Sequence, residues 1–237
     1  MALSHNVIDF HSHILPRLDH GCENLDECIR QLSLISQSGT DISVATPHFY
    51  PHIHKVQSFV ESTDTAISKL CSAGISDSPA LAVGAEVLLC KHMEMMSGLD
   101  KLCIRGTRVL LLELPMMALD DGHFDTVEAI LSKGYTVVLA HIDRYLKKYE
   151  SGVDDILSMG ALAQINAECL CSFSVPKKIR YYLENTDKIS AIGSDLHGTD
   201  LSRYKKFAKT PKLLGNHYEE ITSRSKILLK DAIIYKI

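Results

Sequence analysis

Seven short apolar stretches recur along the chain, each followed by a segment of helical character. They are NVIDF (6–10), ISVATPH (42–48), ALAVGAE (80–86), RVLLLELP (108–115), YTVVLAH (135–141), ALAQIN (161–166) and ISAIGSD (189–195). Runs this short and apolar on both faces suit strands buried on both sides. Parallel strands with helical crossovers provide that burial. The first intervening segment, LDECIRQLSLISQSG (25–39), spaces Cys28, Leu32 and Ile35 at a helical period. Asn24 can cap it, Glu27 follows three residues on, and Gly39 stops it. Helices are also predicted over 56–72, 122–133, 152–160 and 176–185, the last with Pro176 in its first turn. A short helical stretch is expected near 91–99, and the last forty residues read as mostly helical. The alternation predicts an α/β fold around a parallel sheet, either doubly wound or closed into a barrel. Nothing in 1–237 reads as a linker or a repeat. One domain is therefore expected, with a helical tail over about 211–237 that packs on it or joins copies of the chain in a homo-oligomer.

Charge and composition exclude several classes. The 25 basic and 29 acidic residues leave a formal charge of -4, with no basic footprint for nucleic acid. No apolar run approaches the roughly 18 residues of a membrane span, and His5, Asp9 and His11 interrupt any leader-like start. A cytoplasmic protein without membrane insertion is expected. There are seven cysteines and no CxxC, and the CxC at Cys169 and Cys171 lacks a second pair, which points to reduced, mostly buried thiols. No GxGxxG follows the first strand and no GxxxxGK[ST] occurs, so a nucleotide fold has no support.

The strand ends carry the chemistry. His11 and His13 stand one residue apart where the first strand leaves the core, and alternate residues of an extended chain share a face. The second strand ends in His48, the third in Glu86, and the fourth runs into Glu113. The fifth ends in His141, the sixth in Asn166, and the seventh in Asp195 followed by His197. Taken singly, each has a plain structural use: Asp195 can cap a helix and Glu113 can face water. Taken together, they are almost all His, Asp or Glu at the C-terminal ends of strands, where an α/β barrel gathers its active site. A barrel turns the row into a ring and is favoured for that reason. Crowded carboxylates and imidazoles need positive charge, which two or three divalent ions would supply. Nitrogen and oxygen donors without thiolate suit manganese, iron or zinc, and their number exceeds one tetrahedral shell. Glu86 could bridge two ions. Such ions polarise phosphoryl oxygens and lower the pKa of water to about 7, giving a hydroxide for in-line attack. Arg144, three residues after His141, and Arg203, in the loop after the seventh strand, could grip phosphate oxygens. Tyr145, Tyr149 and FYPHIH (49–54) are left open as parts of a substrate rim.

The ordered series DFHSHILP, DHG, ATPH, GAE, LLLELP, AHIDRY and GSDLHG resembles the polymerase-and-histidinol-phosphatase (PHP) superfamily. Within it, the series is most similar to the bacterial metal-dependent protein tyrosine phosphatases of capsule and exopolysaccharide loci, from about residue 7 to about 204. The resemblance implies a distorted (β/α)7 TIM-like barrel, the PHP fold, with a trinuclear site that often holds manganese. It implies metal ligands at His11, His13, His20, His48, Glu86, Glu113, His141, Asp195 and His197, and phosphate-binding roles for Arg144 and Arg203. The implied substrate is phosphotyrosine on the tail of a bacterial tyrosine kinase. Two departures stand out. The subgroup usually carries DDG where this chain has Asp19, His20 and Gly21, so metal binding by His20 and a supporting role for Asp19 both stay open. The Arg203 loop is offset by about one residue. A cysteine-based phosphatase would need Cys-x5-Arg, and no cysteine here has Arg six residues on. The alternatives are a small-molecule phosphatase of the histidinol-phosphatase kind and a non-catalytic metal-bound partner module. An amidohydrolase ranks below them, because the third and fourth strands end in glutamates instead of the bridging lysine such enzymes commonly use.

Overall fold

The computed structural model describes residues 7–75, 78–146, 148, 150–172 and 175–237. Tyr149 lies outside the described residues. Among the described residues there are nine parallel strands: β1 (Ile8–Ser12), β2 (Ile42–Ala45), β3 (His48–Phe49), β4 (Ala80–Val83), β5 (Glu86–Leu88), β6 (Val109–Glu113), β7 (Thr136–Leu139), β8 (Leu162–Asn166) and β9 (Ile189–Gly193). They form two sheets, β1-β2-β4 and β3-β5-β6-β7-β8-β9. Seven strands were expected; two of them break. The second breaks at Thr46-Pro47, where proline offers no amide to the ladder. The third breaks at Gly84-Ala85. Gly84 N–H still donates to Ala45 O (2.9 Å) and Glu86 N–H to Pro47 O (3.1 Å), so the broken strands remain side by side. Past the break β5 pairs with β6, whereas β4 receives Arg105 N–H on Val83 O (2.8 Å).

The ends of β9 and β1 meet: Asp195 N–H donates to His11 O (2.9 Å) and His13 N–H to Leu196 O (3.0 Å). Below them the buried Asp9 carboxylate joins the two strands, Oδ1 accepting Ser194 N–H (2.8 Å) and Oδ2 the Ser194 hydroxyl (2.6 Å). Ile8, Phe10, Val44, Ala82, Leu111, Val138 and Ala191, from six different strands, share one interior cluster. The alternating partners Leu110, Leu112, Val137 and Leu139 face the other way, into the layer under the helices. The result is a distorted α/β ring.

The helices are α1 (Leu25–Gln37), α2 (Val56–Ala73), α3 (Asp121–Ser132), α4 (Glu150–Ser158), α5 (Ala167–Leu170), α6 (Lys177–Asn185), α7 (Leu201–Phe207), α8 (Thr210–Leu214) and α9 (Asn216–Leu228). Asn24 caps α1 by accepting Glu27 N–H (2.9 Å), while the Glu27 carboxylate accepts Glu23 N–H (2.8 Å), one residue ahead of the cap. The helical stretch expected near 91–99 is a pair of 3-10 turns, Met93–Met95 and Leu99–Leu102. After α9 the tail returns to the ring: Tyr235 and Leu81 exchange both backbone bonds, and Ile233 N–H donates to Arg105 O (2.8 Å). No helix among the described residues is long and apolar enough to cross a membrane.

Candidate metal centre

The first strand delivers two imidazoles to one point. Asp9 pairs with Ser43 but Ser12 with Ala45, so β1 carries one extra residue and bends there. The rings of His11 and His13 end 5.0 Å apart, both fully buried. His48 opens β3, Glu86 opens β5 and Glu113 closes β6. His141 and Asp195 follow β7 and β9 with positive φ angles of 34° and 49°, backbone that costs a non-glycine residue about 1–2 kcal/mol. Two bonds pin them there. Gln164 Oε1 accepts His141 N–H (2.6 Å), and Asp195 N–H reaches His11 O.

Among the described residues, these side chains form four overlapping sets of donor atoms within 4.8 Å of one another: His13, His48 and His197; His11, His13 and Asp195; His11, Glu86 and His141; His48, Glu86 and Glu113. Glu86 lies at the centre. Its Oε2 is 2.9 Å from His48 Nδ1, 3.3 Å from His13 Nε2 and 3.7 Å from His11 Nε2, while Oε1 is 2.6 Å from His141 Nε2. Asp195 Oδ1 is 3.3 Å from His11 Nε2 and 3.6 Å from both His13 Nε2 and His197 Nδ1. Despite these approaches, His11 Nε2, His13 Nε2, His48 Nδ1 and Glu86 Oε2 are buried without an aligned hydrogen bond. A buried polar atom left this way costs about 1–3 kcal/mol. Atoms aimed at a shared space instead of at one another fit cations, and the donor set fits divalent ions.

A second layer orients the donors. Thr46 Oγ1 lies 2.8 Å from His11 Nδ1, and Asp19 Oδ2 lies 2.7 Å from His13 Nδ1, so both histidines present Nε2 inward. Asp19 also accepts Gly21 N–H (2.9 Å) and His48 N–H (3.0 Å). Asn166 donates to Asp195 Oδ2 (3.0 Å) and accepts from Gln164 (2.9 Å). Gln164 and the support from Thr46 and Asn166 went unassigned in the sequence. The one available signal was a pair of amides at alternate positions of ALAQIN, on one face of an otherwise apolar strand.

Charge follows geometry. Burial would raise Glu86 and Asp195, but the surrounding imidazoles, with Arg144 beside Asp195, hold both well below the usual carboxylate range. Burial and the neighbouring Glu86 raise Glu113. Burial opposes a proton on His13, yet Asp19 and Glu86 beside it prevail and lift it to about 10. Burial, then the charge on His13, lowers His197 to about 4. Burial lowers His11 and raises Asp9 to about 7.

His20 stands at the rim, exposed, its ring stacked 4.4 Å from His197 and 5.1 Å from His48, outside the four donor sets. Both arginines meet Asp195: Arg144 pairs with its Oδ2, and Arg203 donates to its backbone carbonyl (2.5 Å). Tyr145 is 1% exposed and belongs to the core, not the rim. Tyr50 does reach the rim, its ring stacked 5.2 Å from His48.

Fold and site together define a distorted α/β-barrel protein with a cluster of His, Glu and Asp side chains, of a kind that could hold metal ions, gathered where β1, β2, β4, β6, β7 and β9 end. The chain belongs to the CpsB/CapC family of capsular polysaccharide synthesis, whose family model matches residues 7–234. It is 27% identical over 209 residues to the tyrosine-protein phosphatase CpsB of Streptococcus agalactiae, covering 82% of this chain and 84% of that one. It is 22% identical over 243 residues to the tyrosine-protein phosphatase YwqE of Bacillus subtilis, covering 97% and 94%. The fold matches a crystal structure from work on Bacillus subtilis YwqE and Streptococcus pneumoniae CpsB, described as unique metal-dependent tyrosine phosphatases. The TM-score is 0.77 over 98% of this chain and 97% of that one, at 20% identity. The inactive dihydroorotase-like domain of a Chaetomium thermophilum CAD-like protein shares the fold more loosely, with a TM-score of 0.52 at 9% identity over 95% and 79%.

Proposed function

We propose that this chain is a metal-dependent phosphomonoesterase, a protein tyrosine phosphatase, carried by a single domain over 1–237. Its substrate is phosphotyrosine on the tail of a cytoplasmic-facing bacterial tyrosine kinase that controls capsule or exopolysaccharide synthesis. One observation carries the reading: buried donors on His11, His13, His48 and Glu86 converge without hydrogen bonds, with two guanidinium groups at their edge. The relatives named above, each called a tyrosine-protein phosphatase, support the choice of phosphotyrosine. His13, His11, His48 and Glu86 each belong to two donor sets, an arrangement that suits two or three ions, manganese first and iron or zinc as alternatives.

His11, His13, His48, His141, His197, Glu86, Glu113 and Asp195 would hold the ions, with His20 a further ligand at the rim. Bound there, the ions would neutralise phosphoryl charge and activate water for attack. The protein's own part is placement. Thr46 and Asp19 fix the inward nitrogens of His11 and His13. Asn166 and Arg144 occupy Asp195 Oδ2 and leave Oδ1 to face the histidines. Arg144 is partly exposed and sits where it can exchange Asp195 for a phosphate oxygen, and Arg203 stands on the other side of the same residue. Phosphate monoesters are among the slowest esters to hydrolyse unaided, and concentrated positive charge addresses that barrier.

The test pairs elemental analysis with turnover of a phosphotyrosine peptide and of histidinol phosphate, before chelation, after it, and after manganese is restored. Peptide turnover that falls and returns with the metal is expected. Faster turnover of histidinol phosphate would favour the small-molecule phosphatase. A fully loaded protein that hydrolyses neither would favour the non-catalytic module.

A further inference from the structure

A groove opens beside the cluster and runs away along α2. Its near end is a hollow of about 370 Å³ lined by Arg17, Leu18, Ile53, His54, Lys55 and Phe59. Through Arg17 and Leu18 it continues into a larger groove of about 620 Å³ that reaches Glu61, Thr65 and Lys69 on α2. Both walls of the hollow are tied to the cluster. Leu18 precedes Asp19, whose carboxylate meets His13. On the other wall His54 Nδ1 accepts Tyr50 N–H (3.0 Å), and the Tyr50 ring stacks on His48.

The hollow also has a chemical bias. Arg17 and Lys55 are exposed, and neither has a carboxylate within ion-pair distance among the described residues. Arg17 Nε donates to a backbone carbonyl, that of Glu23 (3.2 Å). Ile53 is 66% exposed beside them, with partly buried Leu18 and Phe59 as an apolar floor. Farther along, Asp26 and Glu61 balance Lys69, so the positive bias is confined to the end nearest the cluster. A small phosphate ester has nothing to place there; a polypeptide does.

We propose that this groove docks the polypeptide flanking the phosphotyrosine, and that Arg17 and Lys55 select an acidic residue within a few positions of it. The inference rests on the phosphatase reading and adds to it where substrate choice is made.

Lys55→Glu is the informative variant. Lys55 precedes α2 without a side-chain cap bond, and a carboxylate at a helix N-terminus is favourable, so folding is preserved. Arg17 has φ +62° and leads into Asp19, which makes it the poorer choice. Ile53→Ser tests the apolar part. The assay measures kcat/KM of the manganese-loaded protein on a phosphotyrosine peptide flanked by Asp and Glu, on its Lys-flanked counterpart and on para-nitrophenyl phosphate. Wild type should prefer the acidic peptide roughly tenfold, the effect of two exposed ion pairs. Lys55→Glu should abolish that preference and leave para-nitrophenyl phosphate turnover within about twofold, since an exposed, solvent-screened charge outside the donor sets contributes little. Ile53→Ser should weaken both peptides and spare the small ester. No flank preference in wild type, or an unchanged one in Lys55→Glu, overturns the inference while leaving the phosphatase reading intact. If the loaded wild type hydrolyses none of the three, the phosphatase reading fails instead. The groove is then judged by fluorescence anisotropy with the same two labelled peptides, where equal binding refutes it and acid preference lost in Lys55→Glu upholds it.

Discussion

Gly21→Ala should damage the cluster without replacing any of its donor side chains. A Cβ placed on Gly21 would stand 2.2 Å from the His13 carbonyl oxygen, 2.4 Å from His13 Cβ and 2.9 Å from Asp19 Oδ1. Ordinary contact begins near 3.4 Å, so the 19–22 turn must move by about 1 Å, and the atoms in its way belong to His13 itself. That turn holds the Asp19 bonds to His13 and to His48 N–H, and Gly21 O accepts Gly198 N–H (2.7 Å) and the Gln31 amide (3.1 Å). Overpacking of this kind costs about 1–3 kcal/mol, and losing the charge-assisted His13–Asp19 contact costs about 1.5–3 kcal/mol. A total of about 2.5–6 kcal/mol lowers Tm by roughly 5–24 °C in a chain of this size. Metal affinity, measured by competition with a fluorescent chelator, should fall about 10- to 100-fold, as when an outer-shell partner is lost. Gly74→Ala is the control. Its φ of +61° makes alanine cost about 1–2 kcal/mol, but nothing lies within 4 Å of the added carbon, so metal affinity should not change. A Gly21→Ala protein that melts with wild type and holds metal equally well would refute the reasoning.

Thr46→Val keeps the shape of the side chain but removes the hydroxyl from His11 Nδ1; an unpaired buried nitrogen should cost about 1–3 kcal/mol in a denaturant titration and loosen the metal. Asn166→Leu should release Asp195 Oδ2 to Arg144 alone, lowering metal affinity about 10- to 100-fold by chelator competition with little change in secondary structure by circular dichroism. Metal uptake should also release protons. His13 is raised from 6.5 to about 10, so in the metal-free protein at pH 8 it carries a proton that must leave Nε2 before a cation binds. Its contribution to metal-free stability is complete below 6.5 and is lost as pH rises through about 10, and metal affinity should climb across the same window. Calorimetry in two buffers of different ionisation enthalpy reads the released proton directly, and identical heats would exclude it.

The gathering of His, Glu and Asp side chains was legible in the sequence because strand ends are local features: an apolar run that closes on His, Glu or Asp announces both the strand and the group it delivers. His11 and His13 are the clearest case, since their spacing alone places them together. The bulge in β1 that bends them toward Glu86 was not legible, because it depends on pairing with β2, far away in the chain. The breaks at Pro47 and Gly84 were half visible: both residues interrupt strands, but nothing local says that β5 leaves β4 behind to pair with β6. Asp19 and His20 could not be ranked from their neighbours in sequence. The path of the turn carries Asp19 inward to His13 and leaves His20 at the rim, stacked beside His197.

The charge balance of the cluster gives an independent reason to expect cations. Glu86 and Asp195 stay ionised because imidazoles, with Arg144 beside Asp195, surround them. Glu113 is the carboxyl left over. Partly buried and next to ionised Glu86, it is pushed toward its neutral form, as a carboxyl is when compensation runs short. Meanwhile burial, aided by the charge on His13, holds His197 at about 4 and therefore neutral near pH 7, the form in which imidazole binds a metal. The groups thus stand close to their liganding states, with the His13 proton a barrier to filling the site. An ion entering between His48, Glu86 and Glu113 would ionise Glu113 and relieve its repulsion with Glu86 together. Replacing Glu113 with Gln should therefore stabilise the metal-free protein slightly while weakening the metal-loaded one. That opposition of sign in paired thermal melts is not expected of a glutamate that merely packs at a strand end.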